Sequence, residues 1–294
     1  MKKSLVAVVA VLVVVLALTA CLAACNNSGK NYTFGKEVVP VNAQFDILTG
    51  MSTGSADIGV MDSIMAGYYM SSENYKDTME ILPFYLSEEE YAIGAKKGND
   101  ALIGKINEAL IALQVSGEMA TIGDTFGVAS ENLVTATTAN PKATATDNSW
   151  NNVVADGTLV IGYTVFAPIA FSQGSTFTGY DIELARAVVS YLNQQYGSSL
   201  VIDFMEIDWD QKEALLENGT IDLVWNGMTA TEERANGMSL SISYLANKQA
   251  IVILKKDKAN YDLTSLEAFK KSAAKAVVYV ESGSAAEELM IVEK

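Results

Sequence analysis

The sequence predicts an α/β protein of two lobes, and three features predict it. Beyond residue 157, short apolar runs of strand length alternate with helix-period segments, the order that builds an open parallel sheet. A stretch from Ala129 to Asn148, rich in Thr, Ala and Asn with a single Pro141, reads as a flexible connector between segments of about residues 31–128 and 150–294. The run Gly219, Thr220, Ile221, Asp222, Leu223 echoes Gly54, Ser55, Ala56, Asp57, Ile58, each between a helix and a central strand. Two lobes on one plan would show this, although echoes of five residues also arise by chance.

In the first segment, Glu37–Val41 reads as a strand weakened by Pro40, followed by a helix near Ala43–Met51, the strand Asp57–Met61 and a helix from Ser63 to Met70. Tyr91–Ala95 reads as a strand or a crossing between lobes. Asn99 is the expected N-cap of an amphipathic helix carrying Leu102, Ile106, Ala109, Leu110 and Leu113 on one face, and Met119, Ile122 and Phe126 continue the spacing in a second helix. In the second segment, Thr158–Ile161 between Gly157 and Gly162 suits a buried parallel strand. Ala185, Val188, Val189 and Leu192 mark a helix, Val201–Ile207 a strand, Gln211–Glu217 a helix stopped by Asn218 and Gly219, and Ile221–Trp225 a third strand. Gln249–Leu254 and Ala276–Val280 are further strands, and the Lys-rich stretch from Lys255 to Lys258 is placed as a crossing.

The ends and the composition bound the function. The 294 residues hold 20 Lys plus Arg against 35 Asp plus Glu, a net charge of −15, which argues against a nucleic-acid partner because phosphate binding needs a basic surface. Lys2 and Lys3 precede an apolar run from Leu5 to Ala20, a secretory leader whose length approaches that of a membrane span. With no histidine and no cysteine beyond Cys21 and Cys25, imidazole bases and zinc ligands are absent from the chemistry, and no metal or cofactor is expected.

Four separated motifs resemble the solute-binding, periplasmic-type proteins of polar amino acid ABC transporters. They are Gly157 to Gly162, Gly179 to Ala185, Ile207-Asp208-Trp209, and Gly227-Met228-Thr229-Ala230-Thr231-Glu232-Glu233-Arg234, which matches that family's G-M-T-x-T-x-x-R run. Gly54 to Tyr69 and Tyr91 to Gly127 resemble the family's later half, so the order is inverted. The resemblance therefore implies a type II periplasmic-binding-protein-like fold, circularly permuted. It divides the chain into a signal peptide (1–24), a tether (25–30), the second part of lobe 2 (31–90), a crossing with the closing helices of lobe 1 (91–128), the linker (129–149), lobe 1 (150–254), and a crossing with the first part of lobe 2 (255–294). Leu22-Ala23-Ala24-Cys25 resembles a bacterial lipobox, which implies a lipid on Cys25 and attachment to the outer face of the cytoplasmic membrane; Leu18-Thr19-Ala20-Cys21 fits the same pattern.

The resemblance also assigns a site. Arg234 would fork onto a ligand α-carboxylate with help from Thr229, Gly227 would accept from the ammonium, and Asp62 would pair with that ammonium. Ser282, Gly283, Ser284 and Ala285 would present helix-start amides to an anion, or simply form a capped turn. Phe166 and Trp209 would sandwich the aliphatic part of the ligand, and Glu281 and Met61 would face its side chain, favouring glutamine or a basic amino acid. Asp57 and Asp222 are structural. Residues Leu254–Lys258 and Tyr91–Lys96 would be the hinge of a monomer that delivers its ligand to an ABC permease and catalyses nothing. Two alternatives remain, a cyclohexadienyl dehydratase on the same fold and a ligand-sensing module for a receptor.

Overall fold

The structure is a computed structural model in which residues 31–292 are described. The expected leader and the cysteines at 21 and 25 lie outside the described residues, among which no helix is long and apolar enough to cross a membrane.

Two five-stranded sheets organise the molecule. The second-lobe sheet takes β2 (Glu37–Val41), β3 (Ile58–Asp62) and β4 (Met79–Tyr91) from the early chain and β12 (Leu245–Leu254) and β13 (Val277–Glu281) from the late chain, in the order β2-β13-β3-β12-β4. The first-lobe sheet takes β5 (Gly94–Lys96), β6 (Thr158–Tyr163), β9 (Val201–Glu206), β10 (Leu223–Val224) and β11 (Met238–Leu240), in the order β11-β5-β10-β6-β9. Short hairpin strands β7 (Phe171–Gln173) and β8 (Thr176–Thr178) lie apart from both. In each sheet three strands are parallel, and the fourth, β12 or β5, runs antiparallel. The sheets are therefore mixed rather than wholly parallel, because the fourth strand is the one that has just crossed from the other lobe.

The echo between the lobes has a structural cause. Gly54 and Gly219, at φ 79° and 76°, end their helices in the left-handed region open to glycine. Three residues later Asp57 Oδ2 accepts from the Val277 amide and Asp222 Oδ2 accepts from the Val160 amide, each at 2.8 Å, so both aspartates pin the central strand of their own sheet. The role is structural, as expected, and the partner of each is the neighbouring strand.

The helices include those that the apolar spacing marks. They are α1 (Gln44–Thr53), α2 (Ser63–Met70), α3 (Asp100–Ser116), α4 (Glu118–Phe126), α5 (Ser149–Asp156), α6 (Tyr180–Tyr196), α7 (Lys212–Glu217), α8 (Glu232–Gly237), α9 (Leu266–Ser272) and α10 (Ala285–Met290). Helices α3 and α4 come from the early chain yet pack on α6 of the first lobe. Leu102, Ile106, Leu110 and Leu113 of α3 share a core with Leu184, Val188 and Leu192 of α6.

Two expectations change. The late crossing is not at Leu254–Lys258, because Gln249–Ile253 pair with β3 and Leu245–Leu254 with β4, which puts all of β12 in the second lobe. The chain crosses at residues 241–244 and again at 92–93, between β4 and β5. The stretch 129–149 is not a loose linker either. The Leu133 amide bonds Tyr244 O, Val134 is buried, and Asn140 Nδ2 reaches Gly104 O at 2.8 Å. Asp147 Oδ2 and Ser149 Oγ accept the Ala101 and Leu102 amides at 2.7 and 2.9 Å, capping α3 in place of Asn99, which makes no side-chain cap. The segment's small polar residues form a strap across α3. The two ends of the described chain meet: β1 (Asn31–Tyr32) pairs antiparallel with β14 (Ile291–Val292).

Candidate functional site

A cavity between the lobes is lined by Gln44, Asp62, Phe166, Trp209, Asn226, Gly227, Thr229, Arg234, Gln249, Glu281, Ser284 and Ala285. Nine of these residues were read from the sequence. They arrive from strand ends and helix starts of both lobes, where an open α/β sheet presents its loops.

Arg234 is 4% exposed and sits in the first turn of α8, whose N-cap Thr231 accepts the Arg234 amide at 3.2 Å. Its Nη1 donates to Thr229 O at 2.9 Å, and its Nη2 to Gly283 O at 3.1 Å and Glu288 Oε1 at 3.2 Å. A guanidinium has five N–H donors. Three are held by these contacts, which leaves Nε–H and one N–H of Nη1 for a ligand; a two-pronged fork onto a carboxylate would need an Nη2 donor released from Gly283 O or Glu288.

Asp62 closes β3 on the other lobe and is buried. Its Oδ1 accepts from Tyr91 Oη at 2.9 Å, Gln249 Nε2 at 3.1 Å and Asn247 Nδ2, while its Oδ2 accepts from Gln44 Nε2. Four protein donors thus already hold this carboxyl, and Oδ2 keeps the open acceptor position. Burial, and next the charge of Glu89, push its pKa up to about 6. Burial and then the charge of Asp62 push the Glu281 carboxyl to about 8. Two buried acids side by side resist ionising together. Beside them the side-chain oxygens Asn226 Oδ1 and Gln249 Oε1 are buried with no hydrogen-bond donor, so this end of the cavity is rich in acceptors.

The remaining walls are shaped by close approach. Gly227, at φ 62°, leaves room for the Phe166 ring, which a Cβ would meet at 2.8 Å. Its amide donates to Asp181 Oδ2 at 2.7 Å, and Tyr244 Oη donates to the same oxygen. Burial raises Asp181 to about 7. Thr229 Oγ1 donates to Glu89 Oε2 at 2.9 Å, across to the second lobe.

Three readings are adjusted. Met61 is in the core and does not line the cavity, because neighbouring residues of a strand face opposite ways and Asp62 takes the cleft side. Ser282 does not line it, and the amides of Ser282, Gly283 and Ser284 donate to Val41 O, Glu287 Oε2 and Glu281 O, so these three form a capped turn, while Ser284 and Ala285 line the cavity at the start of α10. Ser284 Oγ accepts the Glu287 amide as the N-cap of α10. Gln44, Asn226 and Gln249 were missed. Asn226 precedes Gly227 in the motif already singled out, whereas Gln44 and Gln249 carry no pattern and reach the cavity only through strand pairing.

Residues 159–286 match the bacterial extracellular solute-binding proteins, family 3. That stretch runs from β6 to α10 and contains Phe166, Trp209, Arg234 and Glu281. The Arginine-binding extracellular protein ArtP of Bacillus subtilis (strain 168) is 28% identical over 111 residues, 37% of this chain and 40% of that protein. Among solved structures, an ABC uptake transporter substrate-binding protein from Streptococcus pneumoniae with bound histidine is 38% identical, covering 32% of this chain and 36% of that one, with a TM-score of 0.27. A polar amino acid ABC uptake transporter substrate-binding protein from Streptococcus thermophilus is 34% identical, covering 34% and 36%, also at 0.27. The chain thus spans about two-fifths of the curated relative's length.

Proposed function

We propose that this protein captures a cationic α-amino acid between its lobes and delivers it to an ABC-type permease from the outer face of the membrane. The observation that carries the reading is the charge of the cavity. Its lining holds one guanidinium, Arg234, and two carboxyls, Asp62 and Glu281. A zwitterion brings one charge of each sign, so the second carboxyl is left for a positive side chain. Arg234 binds the α-carboxylate, the open position on Asp62 Oδ2 takes the ammonium, and Glu281 with Asn226 Oδ1 and Gln249 Oε1 takes the side-chain N–H groups. The name of the arginine-binding relative agrees with this choice.

The same reading makes the chain a circular permutation of its family, with Cys25 the lipid-bearing residue. Support comes from both sheets following one strand plan only when early and late segments are combined.

Calorimetric titration of the purified protein with L-arginine, L-lysine, L-histidine and L-glutamine tests the assignment. Binding of a cationic member with glutamine much weaker is expected; preference for glutamine would refute it. A second reading draws on Glu281, whose protonated carboxyl at neutral pH is a positioned proton donor of the kind dehydration of a cyclohexadienyl acid needs. Product formed from arogenate or prephenate would replace the binding reading.

A further inference from the structure

Lys212 is the least expected buried group near the cleft. It opens α7, is 2% exposed, and is not part of the cavity lining. An ammonium has three donors, and here three acceptors take them: Trp209 O at 3.2 Å, Glu213 Oε1 at 3.1 Å, and Gly283 O at 2.9 Å. The first two belong to its own lobe. The third belongs to the turn between β13 and α10 of the other lobe, and it is the same carbonyl that Arg234 Nη2 reaches at 3.1 Å.

Two cations of one lobe thus converge on one carbonyl of the other. Gly283 permits this because it has no side chain: at φ 69° its Cβ would stand 2.8 Å from Asp210 Cα and 3.3 Å from Asp210 N, so the backbones of the two lobes touch there. Lys212 Nζ also lies 5.0 Å from the centroid of the Trp209 ring, which lines the cavity. One group therefore ties together a cavity wall and the contact that shuts the cleft.

We propose that Lys212 and Arg234 form a clasp on the Gly283 carbonyl that holds the lobes closed, so that Lys212, a positioning residue, sets ligand affinity without touching the ligand. Opening the cleft separates Lys212 from Gly283 O and gives that donor to water. The clasp therefore acts on the closed state and slows ligand escape, leaving capture unchanged. The proposal rests on the amino acid reading for its ligand arm, and on the chain's own contacts at Gly283 O for the clasp.

The test uses the purified full chain and L-arginine as probe. In Lys212→Met, loss of one charge-assisted hydrogen bond should weaken binding about tenfold or more. The loss should appear as faster dissociation in stopped-flow measurements, with association unchanged and no fall in the unfolding midpoint of the ligand-free protein. Lys212→Arg should restore much of the affinity, which a merely structural role would not require. Gly283→Ala should prevent closure, and small-angle scattering in saturating L-arginine should give larger radii of gyration for Gly283→Ala and Lys212→Met than for the parent. Unchanged dissociation in Lys212→Met would overturn the clasp. Should the parent bind no L-arginine, that choice of ligand fails separately, and the scattering is repeated with the amino acid from the calorimetric titration that the parent does bind; equal liganded radii for parent and both variants would then overturn the clasp.

Discussion

Replacing Glu281 with Gln separates the electrostatics of the cleft from its shape. Gln keeps the length and the polar end of the side chain and removes the ionisable group. Burial and the neighbouring Asp62 hold the Glu281 carboxyl at about 8 against an ordinary 4.5, so ionising it in the folded protein costs on the order of 5 kcal/mol. The sign follows from proton uptake. Between those two values the folded state binds more protons than the unfolded one, so the stabilisation is complete below about 4.5 and is lost as pH rises through about 8. Asp62, at about 6, adds a loss of the same sign that ends lower on the scale. Urea unfolding of the ligand-free protein at pH 5, 6.5 and 8 reads this directly. The parent should lose stability across the range, and Glu281→Gln should flatten the fall between 6.5 and 8, ending more stable than the parent at pH 8. A cationic ligand reverses the preference by favouring the ionised carboxyl, so L-arginine binding near pH 7 should release up to about one proton from the parent and fewer from Glu281→Gln, measured by calorimetry in buffers of different ionisation enthalpy. Parallel stability curves and equal proton release would refute the placement of Glu281 against the ligand side chain.

Two further outcomes test the other parts of the architecture. Arg234→Ala should weaken L-arginine binding by about 10²- to 10⁴-fold, the equivalent of two charge-assisted hydrogen bonds at roughly 1.5–3 kcal/mol each, and Arg234→Lys should not restore it, because an ammonium cannot hold Thr229 O, Gly283 O and Glu288 and still donate to a ligand; calorimetry showing affinity within threefold of the parent would remove Arg234 from the site. Ser149→Ala deletes the cap on the Leu102 amide that the strap provides, and should lower stability by about 0.5–2 kcal/mol in thermal unfolding, whereas an unchanged midpoint would return residues 129–149 to the status of a free linker.

The sequence by itself determined the local elements and the motif residues, because these depend on periodicity and on short-range geometry. The apolar spacing of α3 and α6, the glycines that end helices before Asp57 and Asp222, and the run from Gly227 to Arg234 are all local signals, and the structure brings Arg234, Asp62, Glu281, Phe166 and Trp209 to one cavity. Met61 and Ser282 were misjudged by proximity in sequence, since strand alternation and backbone bonding turn them away from the cleft.

Tertiary structure alone decided what depends on partners far away along the chain. The place of β12 was hidden because an apolar strand reads alike in either sheet, and only its pairing with β3 and β4 moves the crossing to residues 241–244. The strap looked like a linker because its acceptors serve amides about 46 residues away. Gln44, Gln249 and Lys212 carry no motif, and they matter through contacts that exist only when the two lobes meet: Gln44 and Gln249 on Asp62, and Lys212 on Gly283. A hydrogen bond is set by position in space, and position between lobes is a property of the folded whole.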